Sequence, residues 1–294
     1  MKRTAAWLGV LAAGLGMMAL SHYGLSSAGP ATATTTSAPA TTAPTTSPAA
    51  AAIVPPGAFF LYLAGQALLL LGGSATLVRL YGHLLARKKA WAFDSPLVAI
   101  DRHRQLLIGL HWAYFGAVIV FAAIIYASPD VQASLLKSVG QSIRGGQGPL
   151  GIAGKAYLSK NIALAAAVTL GINFLLGSVL SITLPSAIVP GVGLVVAGFR
   201  AVLWGLILAP TRVELARRML PHSLTLLLEG EAYILASFFA LLIPIYLFSP
   251  RHGPTAARRY GRALMLNLRG NLLVLLILAA AAVYEAIEVI AMLP

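Results

Sequence analysis

The chain has eight acidic residues, and four of them, Glu229, Glu231, Glu285 and Glu288, stand inside long apolar stretches. An acidic side chain at a bilayer centre costs about 2.5–3.5 kcal/mol on insertion scales, so these residues should face a helix interface, a wet cavity or the headgroup zone. Carboxylates held in such places take up and release protons or cations, the chemistry of relays and transport pathways. His222 precedes Glu229 by seven residues and shares its helix face, whereas Glu231 points well away from Glu229. One of these two glutamates is expected toward the core and the other near the interface. Glu285 and Glu288 are three apart and share a face of the last helix. Arg200 supplies a counter-charge within another apolar stretch, and Asn173, four residues after Thr169, supplies a hydrogen-bonding amide. If their helices run in opposite directions, Glu229 and Glu285 lie ~9 Å and ~13 Å below the same membrane surface, so they are expected to share one polar centre. Whether that centre is functional or structural stays open at this level.

Other chemistry finds little support. The chain has no cysteine, which removes disulfides, thiolate metal sites and cysteine nucleophiles. His83, His103, His111 and His252 are scattered, mostly near membrane boundaries, with no His-x-x-x-His pair, so neither a metal nor another cofactor is expected. Ser223 beside His222 shows no nucleophile geometry. The glycines of "RGGQGPLGIAGK" lack the strand and the lysine-hydroxyl pair of a phosphate-binding loop. The expectation is therefore a protein that is not an enzyme.

The elements that must position these residues are membrane helices. Hydrophobic residues make up 59% of the 294, charged residues only 10%, and mean hydropathy is +0.84, which marks an integral membrane protein. "MKRTAAWLGVLAAGLGMMALSHYG" reads as a signal peptide or uncleaved signal anchor within 1–27. Residues 28–52, rich in Thr, Ala and Pro, read as a disordered tether outside the membrane. The remaining part, 53–294, is expected to be an all-α bundle of about six transmembrane helices, at 57–78, 106–127, 161–184, 188–209, 223–248 and 271–293. Pro185 and Pro190 are expected to make a tight turn between the third and fourth spans, giving a hairpin or a partly re-entrant pair. The connection 128–160 carries Val131, Leu135, Leu136, Val139 and Ile143 at helical spacing, as in an interfacial helix or one packed on the bundle. Gly177-x-x-x-Ser181 and Ala197-x-x-x-Ala201-x-x-x-Gly205 are small-residue faces suited to close helix packing.

The net charge of +13 is assigned to lipid headgroups rather than to nucleic acid. With the N-terminus inside, the loops 79–105 and 249–270 and the first residues hold 13 basic side chains, against 7 on the opposite side. This bias places both loops in the cytoplasm and 128–160 outside.

Three segments in order resemble the stage II sporulation protein M family of bacterial membrane proteins. "LPHSLTLLLEGEAYILA" is similar to its Pro-His-Gly-x-x-Glu segment, with Pro221, His222 and Glu229 as counterparts and Ser223 where the family has glycine. "KNIALAAAVTLGINFLLGSVLSITLPSAIVPGVG" resembles its asparagine-led, glycine-rich helix and turn, and "LLILAAAAVYEAIEVIAML" its final helix, with Glu285 as the glutamate. The resemblance covers about 155–294 and implies a multipass protein of the bacterial inner membrane. It further implies a non-enzymatic scaffold that positions cell-envelope protein partners. The alternative reading, from the residues themselves, is a transporter or permease subunit that uses the intramembrane carboxylates.

Overall fold

The computed structural model describes residues 10, 12–21, 52–87 and 95–293. The charged start of the chain and the Thr-rich tether lie outside the described residues. The described chain is all-α, with one isolated bridge between Ile53 and Arg212 in place of any strand. The helices are α1 (Ala12–Ser21), α2 (Pro56–Arg87), α3 (Pro96–Arg102), α4 (Arg104–Tyr126), α5 (Pro129–Arg144) and α6 (Gly148–Leu158). There follow α7 (Ile162–Gly171), a π-helix (Ile172–Thr183), α8 (Leu184–Ile188), α9 (Val192–Leu208), α10 (Val213–Leu247) and α11 (Ala256–Ala291). Starts are locally encoded. Pro56, Pro96 and Pro129 occupy first turns, and the side chains of Ser95, Asn161 and Thr255 cap α3, α7 and α11.

Five spans are long and apolar enough to cross a membrane: Pro56–His83, Arg104–Tyr126, Ile162–Ile188, Val213–Leu247 and Ala256–Ala291. The protein is a multipass membrane protein. The expected fourth span is a shorter helix of 17 residues, α9. Its start is delayed by a turn at Pro190–Gly191, where Gly191 takes φ 95°, and Pro210 follows its end. Pro185 does not contribute to that turn. It sits in the first turn of α8, where its missing N–H is tolerated, and the third span runs on through it.

The centre of the bundle is α10. Its apolar window is 89% buried, against 33% for α11, and the side chains of Tyr233, Leu235, Phe238 and Phe239 are fully enclosed. A helix apolar on all sides belongs in the middle of its neighbours. α11 runs antiparallel beside it over most of its length. α4 and α9 pack through the expected small face, Ala197, Ala201 and Gly205, all buried. A Cβ on Gly205 would lie 2.5 Å from the Val118 carbonyl oxygen. α1 lies antiparallel on α2, with Gly14 and Gly65 meeting backbone to backbone, Met18 fully buried and Ser21 donating to the Ala58 carbonyl at 2.8 Å.

The chain ends of these helices segregate into two layers. At one end, Val54 N–H donates to the Thr211 carbonyl at 2.9 Å and Tyr126 donates to the Val54 carbonyl at 2.8 Å. The α5–α6 pair joins this end. Gln132 of α5 donates to the carbonyls of Ala209 at 2.8 Å and Ile207 at 3.1 Å, and accepts from the Thr211 hydroxyl. At the other end, Tyr246 stacks on His252 at 3.7 Å, Arg259 donates to the Leu247 carbonyl at 2.8 Å and Tyr260 donates to the Ala187 carbonyl at 2.6 Å. Here the expected loop 249–270 shrinks, because α11 begins at Ala256 and carries Arg258, Arg259, Arg262 and Arg269 on its first turns.

One buried polar cluster ties α10 to α2 and α4. Glu231 is wholly enclosed, accepts from Tyr81 at 2.9 Å and lies 2.6 Å from His111 Nε2. His111 Nδ1 is 2.7 Å from the Leu107 carbonyl, which as an acceptor-only group fixes that nitrogen as a donor. Histidine 111 is thus a core residue, not a boundary one. Because removing one partner of a buried pair leaves the other unsatisfied, Glu231→Leu should cost about 3–5 kcal/mol. The double change Glu231→Leu with His111→Leu should cost less than the sum of the singles, measured by thermal unfolding in detergent.

The two-layer arrangement makes a second expectation. Single cysteines at the exposed positions Ser138 and Thr255 should react with an impermeant thiol reagent from opposite sides of the membrane, and labelling of both from one side would contradict the fold.

Candidate functional site

A cavity of about 560 Å³ opens in the membrane domain between the π-helix, α9, α10, α11 and the α5–α6 pair. Its polar lining comprises Asn173, Arg200, His222, Glu229 and Glu285, five of the residues singled out in the sequence, together with Tyr157, Thr169, Ser181 and Thr225. Its apolar lining includes Phe199, which is 64% exposed, and Leu150, which is 47% exposed. The apolar side is therefore its mouth, facing where lipid would lie.

Each polar side chain is placed by a distinct local device. Asn173 stands in the second position of the π-helix, whose i→i+5 bonding re-aims side chains relative to an α-helix. Its Nδ2 donates to Glu229 Oε1 at 2.6 Å. Glu229 lies in the middle of α10, and the antiparallel packing of α11 brings Glu285 into the wall of the same cavity. Glu285 Oε2 is buried with no hydrogen-bond donor among the described residues. Tyr157 of α6 approaches the same carboxyl, and its hydroxyl is 2.8 Å from Thr169 Oγ1. Burial, followed by the nearby Glu285 charge, pushes the Tyr157 phenol well above its ordinary range, so it serves as a hydrogen-bond donor rather than a phenolate.

Arg200 spreads its guanidinium over the Tyr233 ring, 4.0 Å from the centroid. The floor under it is glycine. A Cβ on Gly177 would stand 3.2 Å from both terminal guanidinium nitrogens and 2.9 Å from the Tyr233 hydroxyl. Trp204 closes the aromatic wall, edge-on to Tyr114 at 6.1 Å and to Tyr233 at 5.9 Å.

The other two glutamates divide. Glu288 lies one helical turn from Glu285. It accepts from Thr225 at 3.0 Å and lies 3.2 Å from His222 Nδ1. It anchors the wall that presents His222 without itself lining the cavity. His222 sits well inside α10 rather than at a helix entrance, because α10 starts at Val213. Glu231 belongs to the separate cluster with His111 and Tyr81. Glu229 and Glu231 are both buried within the bundle, because α10 lies at its centre.

Sequence reasoning missed a second polar support. Asn271 Oδ1 accepts from Ser178 at 3.3 Å and from Thr183 at 3.2 Å, while its Nδ2 lies 3.0 Å from both the backbone and side-chain oxygens of Asn267. This network pins the far half of the π-helix to α11. The Asn-x-x-x-Asn spacing on one helix face was the available signal. Among the described residues no group of three or more His, Asp and Glu could hold a metal ion.

Compared with protein-family models, with curated proteins and with solved structures, the chain gives no match.

Proposed function

We propose that the protein is a carrier or permease subunit that binds a small cationic or amine-bearing amphiphile in the cavity and links that binding to the protonation of Glu229 and Glu285. The observation that carries this reading is the placing of two carboxyl groups, Glu229 and Glu285, in the wall of one membrane cavity that also presents an arginine and a histidine. A protein keeps ionisable groups at such depth chiefly along substrate, ion or proton pathways. Three carboxyl groups, Glu229, Glu285 and Glu288, stand at or behind the floor against the single guanidinium of Arg200, a balance that favours a positively charged guest. The apolar mouth at Phe199 and Leu150 favours a guest that arrives from the bilayer. The bacterial cytoplasmic membrane is the proposed location, with the α3 end of the bundle inside, as its excess of arginines favours.

A second reading, a non-enzymatic scaffold for envelope partners, rests on the resemblance of 155–294 to stage II sporulation protein M. Affinity recovery of a defined set of envelope proteins from native membranes, unchanged by Glu229→Gln, would favour it over the carrier.

The carrier reading is tested on the purified chain by thermal shift against a panel of alkylamines and zwitterionic amphiphiles. A hit at 100 times its Kd should add about 2.7 kcal/mol of stability. Glu229→Gln and Glu285→Gln should keep the unliganded midpoint and lose most of that gain. Earlier unfolding of both variants, with no amphiphile stabilising the wild type, would leave the pair a structural one. Gly177→Ala makes a sharper case. A methyl group there displaces the Arg200 guanidinium or Tyr233, and moving the cavity's guanidinium relative to a cationic guest should change affinity for the hit by about tenfold or more while the fold survives.

A further inference from the structure

A second cavity, of about 670 Å³, lies between α2 and α4, with Val10 at its border. Its walls share no residue with the polar cavity. They are almost wholly apolar, with Leu68, Leu71, Ala75, Ile108 and Trp112 forming the long sides. At one end stand two guanidiniums, Arg79 of α2 and Arg104 at the start of α4. Among the described residues no carboxylate lines it.

The geometry of that end is set by helix direction. α2 and α4 are joined through the short α3, so the late part of α2 and the first residue of α4 lie together. Arg79 and Arg104 both line the cavity, and from Arg79 it runs back along α2 to Ala64, roughly 22 Å at 1.5 Å per residue. His111 borders the groove but offers it no donor, because both of its ring nitrogens are engaged, with Glu231 and with the Leu107 carbonyl. Ser74, whose hydroxyl also stands in the lining, donates to the Leu70 carbonyl at 2.7 Å, so the charged recognition in this cavity falls to the two arginines.

A slot that is apolar along its length and doubly cationic at its end matches a molecule with a hydrocarbon tail and a negative head. Arginine presents a fork of donors that pairs with phosphate oxygens. The arginines also lie in the layer of the protein richest in basic side chains, where an anionic leaflet would add to the attraction. We propose that this cavity is a binding site for one anionic phospholipid, its phosphate held by Arg79 and Arg104 and an acyl chain laid between α2 and α4.

The test uses the full chain, purified and delipidated in a nonionic detergent. Native mass spectrometry compares phosphatidylglycerol with phosphatidylcholine carrying the same acyl chains. Two guanidiniums near a membrane surface should favour the anionic lipid by about thirtyfold. Arg79→Gln with Arg104→Gln should bring that ratio close to one. Ala75→Trp, which fills the groove, should reduce retention of the anionic lipid while leaving the arginines in place. Brominated phosphatidylglycerol should quench the fluorescence that Trp112→Phe removes, a readout that stays available in the wild type if the arginine variant fails to fold. Equal retention of the two lipids by the wild type, or a preference unchanged in the arginine variant, would overturn the proposal. So would displacement of the lipid by millimolar inorganic phosphate, which would make the site one for the free anion, and so would absence of Trp112-dependent quenching.

Discussion

A carboxyl group in hydrocarbon has to be met by the protein, because no water is there to meet it. In this bundle the requirement falls on α10 and α11, and the two glutamates of α10 face the widest range of neighbours. Glu229 and Glu231 leave α10 in different directions, and each is satisfied by a different set of neighbours. Glu231 draws in Tyr81 of α2 and His111 of α4. Glu229 draws in Asn173 of the π-helix and shares its cavity with Glu285 of α11. The side chains two residues apart thus connect the two halves of the domain through a shared centre. The surrounding apolar contacts are interchangeable by comparison, since lipid tails offer a leucine much the same environment as another leucine does.

The two halves treat their carboxylates differently. Glu231 is wholly enclosed, and every oxygen and nitrogen of its cluster with Tyr81 and His111 has a close partner, which suits a fixed joint. Around Glu229 and Glu285 there is open volume, an oxygen without a donor and a cation within the same walls. Incomplete satisfaction of this kind is costly in a buried site, and it is consistent with a place that a guest completes.

Hydropathy made the bundle legible from the amino-acid sequence. The long apolar runs became helices, and the four-residue spacing of Ala197, Ala201 and Gly205 became a packed face. Glu229 and Glu285 line one cavity, an arrangement that similar depth on antiparallel neighbours allows. Periodicity failed at the π-helix. Asn173, Ser178 and Thr183 are five apart, a spacing that points three ways on an α-helix but follows the bonding repeat of a π-helix. The partners of Glu231 were illegible for another reason. Tyr81 and His111 lie 150 and 120 residues away, and nothing local marks them as its donors. Hydropathy likewise cut α10 and α11 short, because the early turns of both carry arginines that favour helix as readily as apolar residues do.

Helix α9 is short, and that affects the lipid around it. Its 17 residues reach only ~25 Å, less than the ~30 Å of an average hydrocarbon layer. The turn before it exposes Ile188 at 76% and Val189 at 59%, apolar residues suited to acyl chains rather than to water. The bilayer must thin on that flank or draw the turn beneath its surface, at a fraction of a kcal/mol per ångström of mismatch. Phe199 and Leu203, which border the polar cavity, belong to this same helix. Membrane thickness thereby bears on one wall of the cavity, and the protein's preference among membranes of different depth is written into the length of a single helix.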